Sequence, residues 1–127
     1  MALQRFNPEG MAPAGAPYSL ATKAGNMVYT AGVLALDGSS QLVAPGDIKG
    51  QTRYVLQAIE KILKAAGAEL KDVAFNHVFL TDFADYAGMN EAYREFFAAS
   101  LPARYCVRAD LVRDGCLVEI ASVAHIT

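Results

Sequence analysis

Pro102-Ala103-Arg104-Tyr105-Cys106-Val107 is the stretch on which the reading of this chain turns. A proline and a small residue lead into a strand whose first long side chain is an arginine. Tyr105, Val107, Ala109 and Leu111 alternate with Arg104, Cys106, Arg108 and Asp110, the period-two pattern of a strand with two different faces. An arginine at a strand's entry can hold its planar fork still. Such a fork receives a carboxylate through two parallel charge-assisted hydrogen bonds. Arg104 is therefore the candidate receiver for the carboxylate of a small acid.

Working back from this stretch, Ser100-Leu101-Pro102 closes a helix, because the residue before a proline resists α geometry. That helix begins near Asp82-Phe83-Ala84-Asp85, with an aspartate at its positive end. Tyr86, Met89, Tyr93, Phe96 and Phe97 recur at helical spacing and read as a core stripe, with Asn90 at its border. A strand over Val73 to Thr81 precedes the helix. Working forward, Asp114-Gly115 is a hairpin turn signal. It leads into a last strand from Cys116 to His125. Both faces of that strand are mainly apolar, which makes it central and puts Glu119 in a dry neighbourhood. A buried carboxylate needs a cation, a hydrogen-bond partner or a proton. The hairpin would set Glu119 opposite Ala109 to Asp110. The competing reading is that Arg104 or Arg108 pairs with Glu119 only to neutralise buried charge.

The first half of the chain starts with an irregular lead-in over residues 7–17, rich in Pro and Gly. Tyr18 follows Pro17 directly. A strand over Ser19 to Lys23, the turn Gly25-Asn26 and a strand over Met27 to Leu36 read as a hairpin. Gly32 inside that strand signals a bulge or a close backbone approach, with tight packing against a helix as the alternative account. A turn at Asp37-Gly38-Ser39-Ser40 and a short strand over Gln41 to Val43 follow. Asp47 is the expected N-cap of a helix whose stripe is Val55, Ala58, Ile59, Ile62, Leu63 and Ala66, ended by Gly67.

The chain's 127 residues fit one domain, 1–127, and 54% of them are hydrophobic against 19% charged. So apolar a composition in so small a domain points to a surface buried between subunits. The net charge is −2 and the cations are scattered singly, which argues against nucleic acid as a partner. The start lacks the apolar core of a signal peptide, and no apolar run approaches membrane-spanning length. The two cysteines, Cys106 and Cys116, show no metal or redox spacing, and a reduced, cytoplasmic protein is the simplest reading. Cys106 reads as a small thiol shaping a pocket; His77 and His125 read as core or rim residues. There is no glycine-rich phosphate loop.

Pro17-Tyr18, the stretch from Met27 to Gly32, Asp82-Phe83 with the run from Met89 to Phe97, the Pro102–Val107 stretch and Leu117-Val118-Glu119-Ile120-Ala121 together resemble the Rid family, also known as endoribonuclease L-PSP. Phe75 to Asp82 and Leu117 to Ile126 look most like its RutC branch, which acts on aminoacrylate in pyrimidine breakdown. The resemblance implies an α+β, chorismate-mutase-like mixed β-sheet with two helices packed on one face. It implies a homotrimer with sites in the clefts between subunits. It also implies a hydrolytic deaminase of small reactive enamine and imine acids, needing neither metal nor organic cofactor. By position, Arg104 would clamp the carboxylate and Glu119 would orient or activate water. The backbone of Gly32 and Cys106 would hold the amino or oxo end, and Tyr18 and Asn90 would line the cleft. One position departs from the pattern. Many similar members carry a serine before the glycine matching Gly32, where this chain has Ala31. That departure keeps a non-catalytic carboxylate-binding module in play as the alternative. Ribonuclease activity, the older family label, fits poorly with the acidic balance and the lack of a histidine pair.

Overall fold

The computed structural model describes residues 2–12 and 15–127. Its strands are β1 (Gln4–Phe6), β2 (Ala21–Ala24), β3 (Met27–Thr30), β4 (Val33–Leu34), β5 (Val73–Leu80), β6 (Ala103–Arg108) and β7 (Val118–His125). Two helices, α1 (Ile48–Ala65) and α2 (Tyr86–Phe97), interrupt them, so the α+β reading with a mixed sheet and two helices holds. The sheet order is β1-β2-β3-β7-β5-β6, with β4 also on β7. All neighbouring pairs are antiparallel except β5 and β6.

The helices form where the sequence signals are local. Asp47 caps α1, its carboxylate accepting from the Gly50 N–H at 3.0 Å. At the other end Gly67 takes φ +86°, and the N–H groups of Gly67 and Ala68 return to the carbonyls of Lys64 and Leu63. That is the left-handed closure glycine permits at little steric cost. Val55, Ile59, Ile62 and Leu63 on α1 are fully buried, against β7 and the other core strands. Each such side chain contributes about 2 kcal/mol by leaving water. The core side of the sheet carries Val78, Leu80, Val118, Ile120 and Ala124, all buried.

The core also holds a polar pin. Ser122 Oγ donates to Asn76 Oδ1 at 2.5 Å, and Asn76 Nδ2 donates to the Tyr93 hydroxyl at 2.8 Å. Asn76 and Ser122 are buried, and each finds its partner in the other strand or in α2.

Three expectations are corrected. The strand over Met27 to Leu36 is broken. β3 and β4 both run along β7, but Tyr29↔Val123 and Val33↔Ile120 leave one extra residue on the β3–β4 side. This is the bulge expected at Gly32. The short strand over Gln41 to Val43 is reduced to an isolated bridge, Leu36↔Leu42. The third correction matters most: the Arg104 strand and the Glu119 strand are not a hairpin. β5 lies between them, and Phe79, not Ala109 or Asp110, faces Glu119. A strand, helix and strand in succession (β5, α2, β6) set β6 parallel at the sheet's edge. The chain then crosses the end of β5 to reach β7 on its far side. Gln51, buried on α1, holds that crossing: Nε2 donates to the Gly115 carbonyl at 2.9 Å, and Oε1 accepts from the Leu117 N–H at 2.8 Å. Asp114-Gly115 is a turn, but a turn pinned to a helix. The sequence reading also assigned no strand to Gln4–Phe6, which extends the sheet beyond β2.

Candidate functional site

Arg104 sits in β6, in register with Asn76, and both point to the helix side. There the guanidinium meets one turn of α2 after another. Nη2 donates to Asn90 Oδ1 at 2.5 Å and to the Tyr86 hydroxyl at 3.2 Å; Nη1 lies 3.9 Å from the Met89 sulfur. The Tyr93 ring lies beneath it, 4.6 Å from centroid to Cζ, and Tyr86 flanks it at 5.7 Å. Rings at these distances attract the cation through their negative faces. Every one of these partners is neutral. Among the described residues, no carboxylate forms an ion pair with Arg104; the acidic groups that do pair with cations are Glu60, Glu69, Glu91 and Glu95. The contact with Arg104, then that with Asn90, holds the Tyr86 phenol below its ordinary range. Cys106 lies two residues on along the same face, its thiol pushed up chiefly by burial. An open groove of about 410 Å3 runs over Phe83, Tyr86, Arg104, Tyr105 and Cys106.

Glu119 faces the other way. It alternates with the buried Val118 and Ile120 and is in register with Phe79 and Leu34, so it lies on the sheet face away from the helices. It is half-buried, and that desolvation raises its carboxyl above the usual range. The bulge makes room for it. A Cβ at Gly32 would collide with Glu119 Oε2 and lie 3.0 Å from Cδ. A side chain here would push the Glu119 carboxylate from this position, so both accounts of Gly32, bulge and close approach, apply together. Tyr18 stands beside it, its hydroxyl pushed up by burial and then by Glu119. Tyr18, Thr30, Ala31, Gly32, Val112 and Glu119 line one cleft of about 480 Å3.

The seven sequence candidates therefore fall into two groups. Arg104, Asn90 and Cys106 come together on one face; Tyr18, Ala31, Gly32 and Glu119 come together on the other. Within one chain the groups do not meet, and the idea that Arg104 pairs with Glu119 is overturned by the sheet itself. The sequence reading missed Tyr86 and Tyr93, assigning both to a core stripe. Their spacing with Asn90 (four and three residues) puts all three on one face of α2, which is the signal that could have found them.

These groupings can be set beside known proteins. The endoribonuclease L-PSP family model matches residues 9–126. The chain belongs to this family, the Rid family of the sequence motifs. It is 54% identical over 119 residues to the 3-aminoacrylate deaminase RutC of Acinetobacter baylyi, covering 94% of each chain. RidA from the Antarctic bacterium Psychrobacter sp. PAMC 21119 superposes with a TM-score of 0.88 at 35% identity, over 97% of this chain and 99% of that one. The TdcF protein of E. coli, solved with bound serine, gives a TM-score of 0.88 at 29% identity, over 98% and 99%. The L-PSP fold thus extends across the whole sheet and both helices described above. Among the described residues of this family member, no helix is long and apolar enough to cross a membrane.

Proposed function

We propose that the protein hydrolyses small enamine and imine acids of the aminoacrylate type, releasing ammonia and an oxo acid. The single observation that carries this reading is the state of Arg104: a cation fixed by a carbonyl, a hydroxyl and two rings, with its charge unanswered. A guanidinium held so is ready for a carboxylate. The 54% identity to a 3-aminoacrylate deaminase supports the substrate class.

The two groups of residues lie on opposite faces, so a complete site needs two copies of the chain. One copy supplies Arg104, Asn90 and the Cys106 backbone; its neighbour supplies Glu119, Gly32 and Tyr18. The face away from the helices favours such an assembly, since Tyr29, Tyr105 and Val107 are exposed there beside Phe75 and Phe79. A homotrimer, closed by rotation, gives every copy the same two contacts.

The chemistry then balances with side chains alone. In 3-aminoacrylate, the amino nitrogen gives up one proton and the carbon next to the carboxylate gains one, which leaves an imine. Glu119 removes a proton from water as the oxygen adds to the imine carbon, and returns that proton to nitrogen. The proton of the new hydroxyl then passes to nitrogen as the carbon–nitrogen bond breaks. Ammonia leaves, and 3-aminoacrylate has become 3-oxopropanoate. A carboxyl raised by burial suits a proton carrier that must give back what it takes. Holding water and imine together accounts for much of the gain in rate.

An assay in which a lyase generates 2-aminoacrylate, or in which 3-aminoacrylate is supplied, with ammonia release followed, tests the reading. Wild-type protein should accelerate release, and Arg104→Ala should lower kcat/KM by about 10³-fold with the fold kept. Ala31, which puts no hydroxyl beside Gly32 at position 31, favours the second reading, a binding module for small carboxylates. Thermal stabilisation by oxo acids with no acceleration on either substrate would replace the first reading with the second.

A further inference from the structure

One hydroxyl beside the cleft has two strong bonds and no part in the chemistry above. Thr30 ends β3, immediately before Ala31-Gly32. Its Oγ1 accepts from the Ser122 N–H at 2.9 Å and donates to the Ala31 carbonyl at 2.9 Å. The first bond follows from the bulge. The extra residue between β3 and β4 takes the ladder out of step with β7, and the Ser122 N–H meets a side chain where a strand would offer a carbonyl. The second bond fixes the direction of one peptide unit. Ala31 N–H is tied too, to the Leu20 carbonyl at 2.8 Å. A trans peptide points its N–H opposite to its C=O. With the Ala31 carbonyl turned to Thr30, the Gly32 N–H is turned away from it. That N–H donates to no group among the described residues, and Gly32 lines the cleft with Glu119.

We infer that Thr30 is a positioning residue for the reaction. Its hydroxyl sets the Ala31–Gly32 peptide plane so that the Gly32 N–H faces the substrate's reacting end beside the Glu119 carboxyl. This rests on the deaminase reading and deepens it. It also accounts for alanine at position 31. The hydroxyl that organises this corner stands one residue earlier and acts through the backbone, not on the substrate.

The test compares Thr30→Val, of nearly the same shape without the hydroxyl, with Thr30→Ser, which keeps it. Thr30→Val should lower kcat by about tenfold while KM changes less than about twofold, because the lost alignment acts on the reacting end and not on carboxylate capture. Thr30→Ser should recover most of the loss. Unchanged kcat in Thr30→Val, or no recovery with Thr30→Ser, overturns the inference. A backbone amide measurement reads the same point without turnover. Pyruvate, used as the probe, should shift the Gly32 amide resonance of wild-type protein and leave it unmoved in Thr30→Val. If wild-type protein shows no turnover, the deaminase reading fails on its own, and the Gly32 resonance still decides the role of Thr30. If Thr30→Val does not fold, a wild-type Gly32 resonance indifferent to pyruvate overturns it.

Discussion

The Arg104 corner and the Glu119 corner are built on opposite principles. Arg104 is a charge surrounded by polarisable, neutral groups on a helix face, where rings and an amide hold the cation without cancelling it. Glu119 is a charge pressed into a place that resists charge, against a bulge where a methyl group could enter only by displacing its carboxylate. One corner leaves its charge uncancelled; the other makes its charge easy to surrender. A fixed cation suits binding and a reluctant anion suits proton transfer. On the proposed reading, the difference between them is a division of labour between holding the substrate and moving its protons.

The most severe test of this contrast disables one corner in each of two preparations. Arg104→Ala and Glu119→Gln should each be nearly inactive. If each site draws one corner from either of two copies, co-refolded mixtures should regain about a quarter of wild-type activity at random assembly, since half the copies can supply each side. Mixtures as inactive as their components would show that both corners serve one chain's site. A smaller effect isolates the Arg104 side. Tyr86→Phe removes one 3.2 Å hydrogen bond to the guanidinium at an exposed position. KM should rise about two- to fivefold with kcat nearly unchanged, the loss of about 0.5–1 kcal/mol of uniform binding. Steady-state kinetics on both parameters checks this.

The smallest effect concerns the Glu119 side and stability. Burial raises the folded carboxyl above its ordinary range, so the folded chain holds this proton more tightly than the unfolded chain. The stability gained from that proton is present below the ordinary carboxylate pKa and is lost as pH rises through the folded value. Glu119→Gln lacks this dependence. Its melting temperature should gain on that of wild type between acid and neutral pH; parallel curves would refute the burial argument.

What could be read from the sequence was what is decided locally. Asp47 and Gly67 bracket α1 because a cap and a left-handed closure involve only a few neighbouring residues. Gly32 announced its bulge for the same reason. Arg104 and Glu119 stood out because charge on an otherwise apolar strand is expensive. The partnership between strands was not legible. Asp114-Gly115 carries the turn chemistry of a hairpin, yet pairing is chosen by the whole core: β5 takes β6 in parallel through α2, and Gln51 claims the turn. Tyr86 and Tyr93 were hidden by their own kind, since aromatic residues at helical spacing are normally packing. Only the arrival of a guanidinium between them shows the second use.

The buried link from Ser122 through Asn76 to Tyr93 bears on how such a chain goes wrong. If β5 slipped by one residue, Asn76 would leave the core and strand two unpartnered groups inside it. The ring beneath Arg104 hangs from that same link. On the proposed reading, a mispaired molecule would therefore lose its carboxylate clamp along with its stability, and errors of assembly would yield inert protein instead of a weakened catalyst.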